Sequence, residues 1–315
     1  MYYRTNFNYE HQLLNGRFEF PLAFNTQNWN YEFEYLFFFI QKDGILNTPI
    51  FYSADYIEYL KIKFNLDPKF ENAPQKNYQY WWGDSTDFEL ELKLNDKKYF
   101  WKLCQRLKVP YPVSVDKISD LPNLDEKVII RKNLGMSGKG SKVLKKEEIR
   151  KIEKNQIVSN YIKKEKDFGV IFENNEFFYY ENVIDQFNQY KGSLFFPKKI
   201  TNSDLLMNNI FNSLSDPIKE LMKLTNKRLQ FDGFICPNGK FYFNEINFRQ
   251  TMGNIAKEIS HKFFPTNYCI LKVYSYSEYL KIPRDIENQI LITPTDGNKT
   301  YLFGLVLKIT NSFEK

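Results

Sequence analysis

Two carboxylates and an amide stand in a pattern that suits a hard metal ion. The segment Leu229 to Arg249 contains two strand-like runs on either side of Asn238-Gly239, and Asn-Gly between such runs is the strongest short hairpin signal. With that dipeptide as the turn, paired residue numbers sum to 477, so Asp232 lies directly opposite Glu245 on one face. Asn247, two residues on, shares that face. Like charges set opposite each other are unfavourable unless something neutralises them. A divalent cation does so, and Mg²⁺ takes one or two carboxylates and completes its shell with phosphate and water. The competing reading of the hairpin is an exposed face with two separated acids.

A second candidate is glycine-rich. The strand-like run Val128 to Arg131 leads into a segment with Gly135, Gly138 and Gly140, where unhindered backbone N–H groups can converge on a phosphate. Ser137 and Lys139 add side-chain donors. The order matches neither G-x-x-x-x-G-K-[ST] nor G-x-G-x-x-G, so the loop alone reads equally well as a surface turn.

Other chemistries are poorly supplied. Cys104, Cys236 and Cys269 are far apart and form no C-x-x-C pair, which argues against a disulfide framework or a zinc ribbon. The two histidines, His11 and His261, are isolated, and no G-x-S-x-G elbow accompanies either of them. Lys plus Arg number 44 and Asp plus Glu 38, a net charge of +6, which suits an anionic small ligand as well as a nucleic acid. Aromatic residues make up 18% of the chain. They fall mostly at strand-like, core-type positions, which disfavours a base-stacking nucleic-acid module. No apolar run approaches the roughly 18 residues of a membrane helix, and the N-terminus lacks the apolar core of a secretory signal. The expectation is a cytoplasmic protein with no membrane and no nucleic-acid partner.

At 315 residues the chain has room for about two domains. Tyr35 to Ile40 reads as a buried strand, and Ser53 as the cap of a helix carrying Tyr56, Ile57, Leu60 and Phe64. Residues 66–87, with Pro68, Pro74 and Gly83, read as a loop. Asn95 or Asp96 caps a helix striped by Tyr99, Leu103 and Leu107, which ends at Val109-Pro110. Lys145 to Lys154 reads as a charged helix, Ile157 to Ile162 as a strand, and Leu205 to Thr225 as a helix. Phe168–Phe172 and Glu176–Val183 form a hairpin around Asn174-Asn175, and Thr300–Ile309 belongs to a C-terminal hairpin.

Over roughly residues 96–260 these segments resemble the ATP-grasp ligases, four motifs standing in that family's order. Asp96-Lys97 with Leu103, Val109-Pro110 and Pro112 is similar to its D-K helix and exit. Val128 to Arg131 and the glycine segment are similar to its phosphate-covering strand and loop. Val158 to Ile162 with Asp167 resembles its adenine hinge and ribose-holding acid. Asp232, Glu245, Asn247 and Arg249 resemble its D…E-x-N-x-R metal site. Arg131 stands where Lys is usual, Lys132 where Pro is usual, and Ser159-Asn160 where the hinge usually has an acid.

The resemblance implies an α/β (α+β) ATP-grasp fold, with two α+β subdomains gripping ATP behind a small α/β N-terminal domain. The implied boundaries are 1–95 for the N-terminal domain, 96–160 for the small subdomain and 161–315 for the large one. It also implies ATP and Mg²⁺ as cofactors. Lys97, Arg131, Ser137, Gly138, Lys139 and Gly140 would face the phosphates, Ser159, Asn160, Tyr161 and Ile162 the base, and Asp167 the ribose. Asp232, Glu245 and Asn247 would hold the metal, and Arg249 with Arg131 would act in catalysis. The implied reaction joins a small-molecule or peptide carboxylate to an amine acceptor through an acyl phosphate, releasing ADP and phosphate, and homodimers are common in such enzymes. A kinase or carboxylase using the same site is the alternative, and a non-enzymatic nucleic-acid-binding module the further one.

Overall fold

A computed structural model describes every residue except 16–23, 27–28, 41–42, 84–87, 136–140, 187–189, 198–203, 226, 285, 297 and 312–315. The chain divides into two compact units. The first contains Met1–Phe88, Lys191–Pro197 and Arg249–Lys315, and the second Glu89–Tyr190 and Lys198–Phe248.

The N-terminal part of the first unit is a parallel sheet of β1 (Tyr2–Arg4), β2 (Ile45–Asn47), β3 (Phe70–Glu71) and β4 (Gln79–Tyr80), in the order β3-β2-β1-β4. Parallel neighbours need a crossover, and the helix Ala54–Phe64 supplies the one between β2 and β3. Ser53 caps it as expected, its hydroxyl accepting from the Tyr56 N–H at 3.1 Å, and Asn65 ends it in the left-handed region at φ 51°.

Two readings fail here. Tyr35 to Ile40 is not a strand but part of a 3₁₀ turn, Glu34–Leu36, followed by a helical turn, Phe37–Ile40. Residues Tyr35 to Phe39 are all buried, and a run buried on every side carries no period by which strand and helix can be told apart. The stretch 66–87 is also more than a loop, since it contributes β3 and β4, each only two residues long.

In the second unit, β5 (Ser114–Val115), β6 (Lys127–Lys132), β7 (Lys142–Lys145) and β8 (Gln156–Asn160) form an antiparallel sheet in the order β5-β8-β6-β7. Its core is Val115, Leu121, Leu124, Val128, Ile149 and Val158. The expected helix Lys145–Lys154 is absent: β7 ends at Lys145 and a single 3₁₀ turn, Lys146–Glu148, follows. Ile149 and Ile152 are drawn onto that core, and the Glu148 carboxylate accepts the Lys145 N–H at 2.7 Å, so tertiary packing overrides a weak helical charge pattern.

The remaining strands of this unit are β9 (Lys166–Glu173) and β10 (Glu176–Ile184). After β11 (Tyr190–Phe195), which enters the first unit, come β12 (Leu229–Ile235) and β13 (Phe241–Asn247). They pair antiparallel in the order β13-β12-β9-β10. Asn174 and Asn175 make the β9–β10 turn in left-handed conformation, at φ 53° and 61°. One face of this sheet is a buried core of Phe168, Val170, Phe231, Phe243 and Ile246. The helix Lys97–Leu107 packs on β13, and the helix Leu205–Leu221 packs on that helix. The opposite face carries Asp167, Gln230, Asp232, Glu245 and Asn247 together with Ile171, Tyr180 and Phe234. The first unit is completed by β14 (Tyr268–Ser275), β15 (Gln289–Leu291) and β16 (Phe303–Thr310), antiparallel in the order β11-β14-β16-β15. No helix of the described residues is long and apolar enough to cross a membrane.

Candidate active site

The β12–β13 hairpin reaches the expected pairing by two departures that cancel. Its turn is not the bare Asn-Gly dipeptide. It spans Cys236 to Gly239, closed by Gly239 N–H to Cys236 O at 2.9 Å and Cys236 N–H to Lys240 O at 2.8 Å, with Gly239 at φ +77°. Near the turn Ile235 faces Phe241 and Gly233 faces Phe243, so paired numbers sum to 476. Asn244 is then an extra residue, a β-bulge, and beyond it Asp232 faces Glu245.

Asp232 and Glu245 begin a row of four residues across the sheet. Glu245 on β13 pairs with Asp232 on β12, which pairs with Gly169 on β9, which pairs with Tyr180 on β10. A Cβ on Gly169 would stand 2.0 Å from the Tyr180 ring. The missing side chain therefore lets that ring lie across β9, and its hydroxyl donates to Asp232 Oδ1 at 3.2 Å. Gln230 Nε2 donates to the same oxygen at 3.0 Å, and Asn247 Nδ2 donates to Oδ2 at 2.6 Å. Burial first, and then the Asp232 charge, push the Tyr180 hydroxyl well above its ordinary pKa, so it remains a donor. Glu245 is met differently: the Lys97 ammonium contacts its carboxylate and also donates to Gly135 O at 3.2 Å.

Opposed residues share a face, so the face of Asp232 continues along β12 through Phe234 to Cys236. Asp167 on β9 lies opposite Phe234. Burial raises the Asp167 carboxyl above its ordinary range against the pull of Lys164, whose ammonium lies 2.7 Å away. The Phe234 ring stacks on Tyr242 with centroids 5.6 Å apart. At the turn end is a cavity of about 340 Å³ bordered by Ile162, Lys163, Cys236, Asn238, Lys240 and Tyr242. Four residues at about 3.3 Å each put it about 13 Å along the strand from Asp232.

The sequence matches no protein-family model and no curated protein. Solved structures do match. An N5-carboxyaminoimidazole synthetase from Staphylococcus aureus, complexed with ADP, aligns at a TM-score of 0.54 and 13% identity, over 85% of this chain and 87% of that one. A biotin carboxylase from Campylobacter jejuni, as a β,γ-ATP complex, aligns at 0.55 and 12%, over 85% and 71%. The biotin carboxylase domain of the 2-oxoglutarate carboxylase from Hydrogenobacter thermophilus, described with MgADP and bicarbonate, aligns at 0.54 and 10%, over 84% and 70%. The fold is that of the ATP-grasp enzymes.

Within this ATP-grasp fold the expected residues fall into groups. Lys97, Asp232, Glu245 and Asn247 come together as described. Arg131, on β6, is buried. It donates from Nη1 to Asn244 Oδ1 at 3.2 Å and from Nη2 to Tyr111 OH at 3.3 Å and Ser159 Oγ at 3.1 Å. All three partners are neutral, and its Nε has no partner among the described residues. Ser159 is fully buried against Ser114, their hydroxyls 2.7 Å apart, and its strand is paired on both sides, with Ser114 and with Ile129. Asn160 accepts the Asp125 N–H through Oδ1 at 2.8 Å. The Tyr161 ring carries the Lys127 ammonium at 4.4 Å, and Ile162 borders the cavity. Ser137, Gly138, Lys139 and Gly140 lie outside the described residues. Arg249 follows Phe248 as the first residue of the C-terminal stretch of the first unit, and its carbonyl accepts from Asn254 Nδ2 at 3.3 Å.

Sequence reasoning missed Tyr180, Gly169, Gln230, Tyr111 and Asn244. The signal for one pair was present, because a turn at Asn174-Asn175 sets Gly169 opposite Tyr180. The donor set fits a hard divalent ion. Two carboxylates and one amide oxygen stand on one face, and among the described residues no third His, Cys, Asp or Glu joins them. Phosphate and water would complete such a shell, as Mg²⁺ prefers.

Proposed function

We propose that the chain is an ATP-dependent carboxylate–amine ligase that forms an amide or peptide bond through an acyl phosphate. The observation that carries this reading is the pairing of Asp232 with Glu245, flanked by Asn247 and Lys97, on one face of an ATP-grasp sheet. In the first step a carboxylate oxygen attacks the γ-phosphorus of ATP and the bond to the ADP oxygen breaks. In the second an amine nitrogen attacks the acyl carbon, phosphate leaves, and the amine loses a proton.

Such chemistry asks the protein for position and charge rather than for a nucleophile, consistent with three buried thiols and no use of either histidine. Asp232, Glu245 and Asn247 are the residues that would hold magnesium, which when bound neutralises phosphate charge. Lys97, at the first turn of its helix, meets the triphosphate with its ammonium. Arg131 adds a fixed positive charge within the second unit, and Arg249 is assigned to the developing charge on the acyl centre. Asp167 holds the ribose, the cavity beside Ile162 and Lys163 takes the base, and the segment 136–140 covers the phosphates. The carboxylate is a small molecule or a peptide end. A second reading, with bicarbonate as the carboxylate, is favoured by the bicarbonate described with one of the matching structures.

Thermal unfolding with ATP, with and without Mg²⁺, tests the reading on wild type and on Asp232→Asn/Glu245→Gln. Ligand at 100 times its dissociation constant adds about 2.7 kcal/mol, an easily measured rise in midpoint. A Mg²⁺-dependent rise that the double variant loses is expected; no rise in wild type at millimolar Mg·ATP refutes the proposal. ADP release with and without added bicarbonate then separates the two carboxylate classes.

A further inference from the structure

Glu245 already has a cation. The Lys97 ammonium touches its carboxylate and, on its other side, the carbonyl of Gly135, where the glycine segment begins. The lysine is an anchored group rather than a surface side chain. It opens its helix, its backbone N–H donates to Asn133 O at 3.1 Å, and its side chain is 9% exposed. The Glu245 side chain keeps 26% exposure and so stays open to an incoming ion. Asp232, directly opposite, accepts from Gln230, Asn247 and Tyr180.

From this arrangement, and resting on the ATP reading above, we infer that Lys97 is an internal counter-cation that guards Glu245 against divalent ions until a polyanionic nucleotide draws it away. A cation bound at Glu245 and the Lys97 ammonium repel each other across a few ångströms. A triphosphate offers Lys97 a stronger anionic partner, and leaving Glu245 frees that carboxylate for the metal. The same movement gives up the Gly135 carbonyl, linking metal loading to the stem of the glycine segment. Because coupling between two ligands is reciprocal, metal and nucleotide each bind weakly alone and strengthen one another by the same factor.

The test is Mn²⁺ binding followed by electron paramagnetic resonance, with and without a non-hydrolysable ATP analogue. Wild type should bind Mn²⁺ weakly alone and at least tenfold more tightly with the analogue. Lys97→Met should bind Mn²⁺ alone at least tenfold more tightly than wild type, and Lys97→Gln should do likewise. Lys97→Arg, which keeps the charge, should not. Adding Glu245→Gln to Lys97→Met should abolish the gain. Circular dichroism confirms that each variant is folded, and two independent neutral replacements guard against the loss of one. Unchanged Mn²⁺ affinity in the folded neutral variants, or a gain that survives Glu245→Gln, overturns the inference. An ATP-induced thermal shift without the Lys97→Met gain sinks the guard and spares the ligase reading. A Glu245-dependent gain in a protein that binds no nucleotide does the reverse.

Discussion

The first unit buries a carboxylate that should make its stability fall as pH rises through neutrality. Glu34 is fully buried, in the 3₁₀ turn Glu34–Leu36. Its Oε1 accepts from the Thr48 hydroxyl and from Tyr52 OH at 2.9 Å, and its Oε2 has no partner among the described residues. Burial outweighs those two donors and the more distant Lys299 charge, and raises the Glu34 pKa from 4.5 to about 8. Between those values the native carboxyl keeps its proton while the unfolded one has lost it. Unfolding then releases a proton, and stability drops by about 1.4 kcal/mol per pH unit. The stabilisation is complete below pH 4.5 and is gone above pH 8, where both states are ionised.

Glu34→Gln removes this titration and keeps an acceptor for Thr48 and Tyr52. From pH 5.5 to 7.5 wild type should lose about 2.7 kcal/mol that the variant does not lose. Urea unfolding at pH 5.5, 6.5, 7.5 and 8.5 measures it, followed by tryptophan fluorescence. Three of the four tryptophans, Trp29, Trp81 and Trp82, belong to the first unit and report on it, while Trp101 belongs to the second. Glu32, also raised by burial, titrates in both proteins and so cancels in the difference. A difference between wild type and variant that does not change with pH would mean that Glu34 is ionised in the native state, and that burial is not the dominant influence on it.

Three further predictions concern the second unit. Glu245→Gln should leave the fold intact and lower ADP release by at least a hundredfold; full ADP release would remove Glu245 from the metal site. Gly169→Ala forces a methyl into the Tyr180 ring and should cost about 1–3 kcal/mol, with weaker Mg·ATP binding as the hydroxyl leaves Asp232. A thermal midpoint equal to wild type would show that the ring is not held over Gly169. Asn244→Ala takes a carboxamide acceptor from the buried Arg131 and should destabilise by about 2 kcal/mol; a loss under about 0.5 kcal/mol would mean that the guanidinium finds another acceptor.

Local chemistry is what the sequence determined by itself. Ser53 and Asp96 cap helices where a short side-chain oxygen precedes an apolar stripe, and Asn174-Asn175 turns a hairpin because asparagine tolerates the left-handed conformation. The opposition of Asp232 and Glu245 was legible for the same reason, since strand period and a nearby turn are short-range properties. Tertiary structure alone decided the rest. That Tyr180 crosses Gly169 to reach Asp232, and that Arg131 lies among Tyr111, Asn244 and Ser159, both depend on contacts between segments remote in sequence. The Tyr35–Ile40 run and the Lys145–Lys154 segment were misread for a related reason. Burial on every side erases one pattern and attachment to a distant core overrides the other, and neither is encoded in the neighbouring residues. Lys97 shows the division within one residue. Its helix start was readable from Asp96, whereas its hold on Glu245, nearly 150 residues away in sequence, existed only once the hairpin had packed beside that helix.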